Sequence, residues 1–281
     1  MHDRVETEWT EYGVKNDFGP YPYNGKGYKN GKEFTPHPLM PKEYATNRND
    51  GLFMSLANVP NVPADDNSPG YNGWYDLANR KHFRYESETD RDLMNDEKHA
   101  EWAVNKLQSL EKNGTNKPFF LAVGFVRPHT PLVAPQKYFD MYPLETIQLP
   151  PLKENDTDDT YYRETFPGEV PWGKHYENLK AAYDGDIELG LKKYLQAYLA
   201  CITFADDQVK KVLDALEASK FNNNTIVILS SDHGYNHGEK DFVYKNNLWE
   251  ESTRVPMIIK APNFKKSHGK TVNHPVSLID V

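Results

Sequence analysis

Long amphipathic stretches alternate with short apolar runs from about residue 96 onward, and this alternation restricts the fold more than any other feature. Residues 96–112 carry apolar side chains at intervals of three and four, which predicts an amphipathic helix. Ser87 and Thr89 are candidate N-caps for this helix, and Asn113-Gly114 is expected to end it. Residues 188–219 keep the same spacing and predict a second, longer helix.

Three apolar runs of strand length accompany these helices, at residues 119–126, 225–230 and 255–260. The first two are continuous, which predicts strands that are buried on both faces, as in a parallel sheet. Helices that alternate with such strands are typical of the α/β class. We therefore expect an α/β fold in which a mostly parallel sheet has helices on both faces.

Composition and charge exclude several classes of protein. The 281 residues are 38% hydrophobic and 13% aromatic, which argues against an intrinsically disordered chain. No apolar run reaches the roughly 18 residues of a membrane-spanning helix, so none is predicted. The net charge of −8 and the lack of a Lys/Arg block argue against nucleic-acid binding. The chain is polar from its third residue, so we expect no signal peptide within it.

Gly, Pro, Asn and Tyr dominate residues 1–75, and prolines recur through residues 128–173. Both regions are predicted to be long irregular excursions, of a length that is often functional or mobile. Aromatic and polar side chains on such loops suit carbohydrate surfaces as well as ordinary surface packing. The one cysteine, Cys201, lies on the predicted long helix, where we expect a small buried apolar residue and no internal disulfide.

Polar residues follow the apolar run at 225–230 directly. Asp232 offers a hard oxygen ligand for a divalent cation, and His233 offers a nitrogen ligand or an acid–base group. Ligands of open α/β sheets sit beyond the carboxyl ends of the strands, which is where these two residues are predicted to lie. Gly234 allows a close turn of the backbone. A simple turn capped by Asp232 is the structural alternative.

Two further residues extend this cluster. His237 lies four residues after His233, a spacing that on a helix would suggest a zinc pair, but Gly234 and Gly238 argue against a helix. Lys245 is a candidate anion-binding residue, and a solvated surface lysine is the alternative.

The run at residues 119–126 also ends in polar residues, Arg127 and His129, within a proline-rich loop. The role of Arg127 stays open. Two predicted strands thus end in carboxylate, imidazole, guanidinium and ammonium groups. This combination indicates a site for an anion and a metal, and favours a hydrolase of an anionic ester.

Longer segments around these residues resemble the sulfatases, a family within the alkaline-phosphatase superfamily, and most closely its iduronate-2-sulfatase-like branch. The resemblance rests on three segments: SDHGYNHGEKDFVYKNNLWEESTRVPMII, PFFLAVGFVRPHTPLVAPQKYFDMYP and QAYLACITFADDQVKKVLDAL. It is strong over residues 93–281 and weak over the loop-rich residues 1–92. It implies an alkaline-phosphatase-like α/β fold that is incomplete at both ends, with residues 1–281 forming part of one catalytic domain.

The resemblance also implies roles for single residues. Asp232 and His233 match two ligands of the family's one divalent cation, usually Ca²⁺. Lys245 matches a lysine that contacts the sulfate group, and His129 matches a histidine suited to holding or protonating the leaving-group oxygen. His2 matches, less closely, a histidine of a Lys-x-x-His motif. The implied catalytic residues are therefore His129, Lys245 and His2, and the implied metal ligands are Asp232 and His233.

Sulfatases use a formylglycine made from the Cys or Ser of a C/S-x-P/A-x-R motif, and this chain contains no such motif. The family's early paired aspartates are also missing. We therefore interpret the chain as part of a longer sulfatase, and expect it to be inactive, or nearly so, by itself.

The implied parent protein is a sulfuric ester hydrolase that acts on a sulfated carbohydrate through a formylglycine. The resemblance implies export, to the periplasm, the cell exterior or the lysosome. Two alternatives stay open: a phosphonate or phosphodiester hydrolase of the same superfamily, and a non-catalytic protein that binds sulfated glycans.

Overall fold

The computed structural model describes residues 9–15, 18–22, 52–59, 73–76, 81–114, 117–160 and 175–280. The chain divides into two compact units. The first comprises Met1–Gln148 and Asn178–Ala215, and the second comprises Leu149–Glu177 and Leu216–Val281. Helices and strands occur together, so the predicted α/β class is confirmed.

Three short strands form one antiparallel sheet in the first unit: β1 (Tyr21–Pro22), β3 (Trp74–Asp76) and β4 (Lys81–Phe83). A separate parallel pair joins β2 (Phe53–Ser55) to β5 (Leu132–Ala134). Both strands of the pair are buried, although they lie in regions that the sequence predicts to be irregular. A three-residue strand is too short to show an alternating pattern, which is why the prediction was wrong there.

Helix α1 (Asn95–Lys112) confirms the helix predicted at 96–112. Its predicted N-caps are wrong: the cap is Met94, whose backbone N–H donates to the carboxylate of Glu97 at 2.8 Å. The hydroxyl of Ser87 instead accepts from the backbone N–H of Asp90 within a tight turn. The helix ends as predicted, because Gly114 takes a φ of 63° that glycine adopts readily.

The predicted long helix is also confirmed. Short helices α2 (Gln136–Phe139) and α3 (His175–Ala182) precede α4 (Ile187–Glu217), which is 31 residues long. Its buried face repeats at intervals of three and four, as the sequence pattern requires. Cys201 is fully buried on that face, as predicted. Burial raises the pKa of its thiol to about 12, so the thiolate form is suppressed.

The strand predicted at residues 119–126 is wrong, since this described stretch forms no strand. Phe120 is 82% exposed, so the stretch is not buried on both faces either. The backbone is held by α1 instead: His99 Nδ1 lies 3.0 Å from the carbonyl oxygen of Gly124, and Asp96 accepts from the N–H of Val126 at 2.7 Å. An apolar run becomes a strand only where another backbone supplies hydrogen bonds.

The second unit contains the strands predicted at 225–230 and 255–260. They are β6 (Val227–Ser230) and, after further elements, β9 (Met257–Lys260), and they pair antiparallel. The predicted burial on both faces is wrong, because Ile228 of β6 is 48% exposed. Between them lie β7 (Asn236–His237), β8 (Val243–Tyr244) and the short helix α5 (Glu250–Thr253).

None of the helices within the described ranges is both long and apolar enough to cross a membrane.

Candidate functional site

Asp232 and His233 lie directly after β6, where the sequence predicts them. The carboxylate of Asp232 is 86% exposed, and the imidazole of His233 is partly buried. Nδ1 of His233 lies 2.8 Å from the carbonyl oxygen of Gly234. A carbonyl can only accept, so Nδ1 carries the proton and Nε2 presents its lone pair. The backbone therefore sets the tautomer of this histidine.

Lys245 joins these two residues. Its Nζ donates to Nε2 of His233 at 2.8 Å, and Nε2 lies 3.6 Å from Oδ1 of Asp232. The structure thus brings together three of the predicted site residues: a carboxylate, an imidazole nitrogen and an ammonium group.

Gly234 is required for a different reason from the one that the sequence suggests. A Cβ at this position would lie 2.0 Å from the backbone oxygen of Glu251. The N–H of Gly234 donates to the backbone oxygen of Ser252 at 2.7 Å. The absence of a side chain lets α5 approach the segment that carries His233.

The loop around Lys245 has an unusual backbone. Left-handed φ angles occur at Gly238 (119°), Lys240 (58°), Asp241 (50°), Tyr244 (112°) and Asn246 (76°). Residues other than glycine adopt such angles at a cost of about 1–3 kcal/mol, and hold them only where surrounding contacts enforce them.

Ion pairs and buried hydrogen bonds supply such contacts. Lys240 Nζ lies 2.8 Å from Oδ1 of Asp156 and 2.7 Å from Oδ1 of Asp159. These hydrogen bonds hold the pKa values of both carboxyl groups below their usual range. Asn236 is buried and accepts hydrogen bonds from Asn247 and Ser252. Sequence reasoning missed Asn236, since a single asparagine in a polar segment carries no pattern.

The donor set of Asp232 and His233 fits a divalent cation. It combines a carboxylate oxygen with an imidazole lone pair whose other nitrogen is hydrogen-bonded to a backbone carbonyl, as is usual for metal-binding histidines. Within the described residues, His, Cys, Asp and Glu form no cluster of three or more that could hold a metal. The two residues thus make a partial ligand set.

His237 does not support the zinc alternative. It lies in strand β7 and not on a helix, so the four-residue spacing to His233 does not place the two rings on one helical face. The residue is partly buried, and its ring packs against Tyr235 at 5.4 Å between ring centroids. Burial lowers the pKa of His237 to about 4, which keeps its imidazole neutral.

His129 and Arg127 lie in the first unit. Nδ1 of His129 is 2.6 Å from the carbonyl oxygen of Thr130, and the ring packs on Phe18 at 4.3 Å between centroids. The carbonyl oxygen can only accept a hydrogen bond, so Nδ1 of His129 carries a proton.

Arg127 has a structural role, which answers the question that the sequence left open. The residue is 4% exposed. Its five N–H donors are all engaged by backbone carbonyls: Nε by Val133, Nη1 by Phe18 and His129, and Nη2 by Phe18 and Gly19. Its own backbone N–H donates to Asp96 at 2.9 Å. Arg127 therefore braces the loop that carries His129, with no N–H left to offer a substrate anion. The remaining predicted site residue, His2, lies outside the described residues.

Known proteins resemble this chain over most of its length. A "Sulfatase" of Formosa agariphila is 40% identical over 192 residues, which cover 67% of this chain and 35% of the relative. Iduronate 2-sulfatase of Homo sapiens is 31% identical over 191 residues, covering 64% of this chain and 32% of the relative. The chain thus spans about a third of the length of these relatives.

A solved structure, the phosphonate monoester hydrolase of Agrobacterium radiobacter, is 20% identical with a TM-score of 0.46, covering 62% of this chain and 35% of that one. The sulfatase family profile matches residues 18–281, which is nearly the whole chain. This match includes Asp232, His233 and Lys245. The chain therefore belongs to the sulfatase family.

Proposed function

We propose that this chain is part of a sulfuric ester hydrolase that removes sulfate from a carbohydrate, and that Asp232, His233 and Lys245 belong to its active site. The observation that carries the proposal is the 2.8 Å contact between Lys245 Nζ and His233 Nε2, beside the carboxylate of Asp232. It joins an anion-binding group to two cation ligands at the end of one strand. The relatives named as sulfatases support the reaction class.

Lys245 would bind the sulfate group of the substrate. A sulfate monoester is an anion, and a lysine ammonium holds an anionic oxygen as a compact point charge. Negative charge shifts toward the leaving oxygen as the ester breaks. A positive group that is already in place stabilises this change without reorganising.

Asp232 and His233 would hold a divalent cation, which we propose to be Ca²⁺ by family resemblance. When bound, the cation supplies further positive charge to the sulfate oxygens. The contribution of the chain itself is to present the ligands: Gly234 accepts from Nδ1 of His233, so the lone pair of Nε2 is directed outward from the backbone.

His129 would hold or protonate the leaving oxygen. A sugar alkoxide is a poor leaving group, so a proton donor is valuable at this step. Because Thr130 engages Nδ1, Nε2 of His129 is the nitrogen that would exchange the proton. His2 is a second proposed histidine of the site. The formylglycine nucleophile would come from sequence outside these 281 residues.

The test measures sulfate release by the full-length protein that contains this chain, using an aryl sulfate and sulfated disaccharides as substrates. We expect Lys245→Ala to lower kcat/KM by about a hundredfold or more, because it removes one preorganised charge. Lys266→Ala, at an exposed lysine, is the matched control and should leave kcat/KM unchanged.

Other outcomes would support the alternatives. Preferred hydrolysis of an aryl phosphonate or a phosphodiester would indicate the related hydrolase class. Calcium-dependent binding of a sulfated glycan without any release of sulfate would indicate a binding protein. We also propose export to the periplasm, the cell exterior or the lysosome, which fractionation of cells that express the full-length protein would test.

A further inference from the structure

His233 and Lys245 meet although the chain reverses direction between them. The hairpin of β7 and β8 supplies the reversal. Tyr244 and Asn246, on either side of Lys245, have φ angles of 112° and 76°. Such angles persist in residues other than glycine only where other contacts enforce them. The position of Lys245 therefore depends on an anchor outside its own backbone.

Asn236, the first residue of β7, makes contacts of this kind. Its side chain is fully buried, at 0% exposure. Its Oδ1 accepts hydrogen bonds from Nδ2 of Asn247 and from Oγ of Ser252, each at 2.8 Å. Asn247 lies two residues after Lys245, and Ser252 lies on α5. A single buried oxygen thus joins β7, α5 and the segment that carries Lys245.

The same network reaches His233. The backbone oxygen of Ser252 accepts from the N–H of Gly234 at 2.7 Å, and the oxygen of Gly234 accepts from Nδ1 of His233 at 2.8 Å. A continuous path of hydrogen bonds and short chain segments therefore leads from the imidazole of His233 through Ser252 and Asn236 to Asn247.

We propose that Asn236 is a positioning residue that holds Lys245 against His233, and so sets the spacing between the anion-binding and cation-binding groups. The catalytic meaning of this spacing rests on the proposed function, whereas the contact itself does not. Asn236 acts through Asn247 and Ser252. Its Nδ2 has no hydrogen-bond partner among the described residues, so an aspartate would keep the one oxygen that both bonds need.

The first test observes the contact directly by NMR. It records imidazole ¹H–¹⁵N spectra of the full chain labelled at histidine, in which the signals of the His233 ring nitrogens report their hydrogen bonds. Lys245→Ala gives the reference signals of His233 without the contact. We expect Asn236→Ala to move the His233 signals to this reference position. Asn223→Ala, at an exposed asparagine after α4, is the control and should keep the wild-type signals. Wild-type His233 signals in Asn236→Ala would overturn the proposal.

A second pair of variants decides the question if Asn236→Ala does not fold. Asn236→Asp retains the accepting oxygen in its neutral, protonated form, which burial favours, and should preserve the His233 signals. Asn247→Ala removes only the bond toward Lys245 and should lose them. A merely structural role of Asn236 predicts no such separation between the two variants, and the reverse pattern would contradict the proposal.

Inorganic sulfate, used as a probe, separates this proposal from the proposed function. We expect the Kd for sulfate to rise about tenfold in Asn236→Ala and in Asn247→Ala, because a misplaced ammonium binds the anion poorly. The double variant should bind no more weakly than either single variant, since both remove the same link. A wild-type chain that binds no sulfate would count against the proposed function while the His233 signals still test the positioning. Unchanged sulfate binding in variants that have lost the contact would overturn the positioning proposal.

Discussion

Lys245 donates to Nε2 of His233 at 2.8 Å across a separation of twelve residues in the chain. The lone pair that accepts this hydrogen bond is the one that a metal ion would use. The proposed cation ligand and the proposed anion-binding group are therefore coupled through one nitrogen atom.

This coupling predicts that Lys245→Ala strengthens the binding of a divalent cation. The substitution removes a positive charge and frees the lone pair of His233. Together these two changes should lower the Kd for the cation about tenfold. Calorimetric titration of the chain with Ca²⁺ measures the change, with Lys266→Ala as the control. Unchanged or weaker Ca²⁺ binding in Lys245→Ala would show that the two groups do not compete.

Arg127 is predicted to be a major contributor to stability. Replacing it by alanine leaves buried backbone carbonyls without partners and should lower the free energy of unfolding by about 3 kcal/mol or more. Arg127→Lys should restore only part of this loss, because an ammonium has three donors where the guanidinium has five. Urea unfolding measures both, with the exposed Arg254→Ala as the control. A full rescue by lysine would refute the bracing role.

Gly234→Ala should destabilise the second unit. The new Cβ would meet the backbone oxygen of Glu251, which cannot move without displacing α5, and the expected cost is about 1–3 kcal/mol. Gly124→Ala is the matched control, because a Cβ there has no atom within 4 Å. Equal unfolding midpoints for the two variants would contradict the close packing at Gly234.

His237 makes stability depend on pH. Its folded-state pKa, about 4, lies below the unfolded value of 6.5, so the unfolded chain binds the proton first as the pH falls. The contribution of His237 to the free energy of unfolding is fully present above pH 6.5. It is lost as the pH falls from 6.5 to about 4, a change of about 3 kcal/mol in total.

The check is chemical unfolding at pH 7.5 and pH 5 for the wild type and for His237→Gln, which cannot take up the proton. We expect a smaller loss of stability in His237→Gln than in the wild type. His268→Gln, at an exposed histidine, should behave as the wild type. An identical loss in all three proteins would rule out His237 as the source.

The spacing of apolar residues along the chain explains which helices and strands could be predicted from the sequence. The spacing of apolar residues located α1 and α4 to within two residues at each end, because helical periodicity is a property of consecutive residues. The same reasoning located β6 and β9, and put Asp232 and His233 immediately after β6. The strand predicted at 119–126 was wrong, because a strand needs hydrogen bonds from a second backbone segment. The sequence of the run itself gives no information about that partner.

Patterns within single segments of the chain predicted the α/β class, the two long helices, the position of Asp232 and His233 after a strand, and the membership of the sulfatase family. The packed structure was needed to show that Lys245 contacts His233, that backbone carbonyls engage every donor of Arg127, and that Asn236 joins three segments. The physical reason is that periodicity and motif order are encoded between near neighbours in the chain. A buried hydrogen bond between distant residues depends on how the elements pack, and packing leaves no pattern in any one segment.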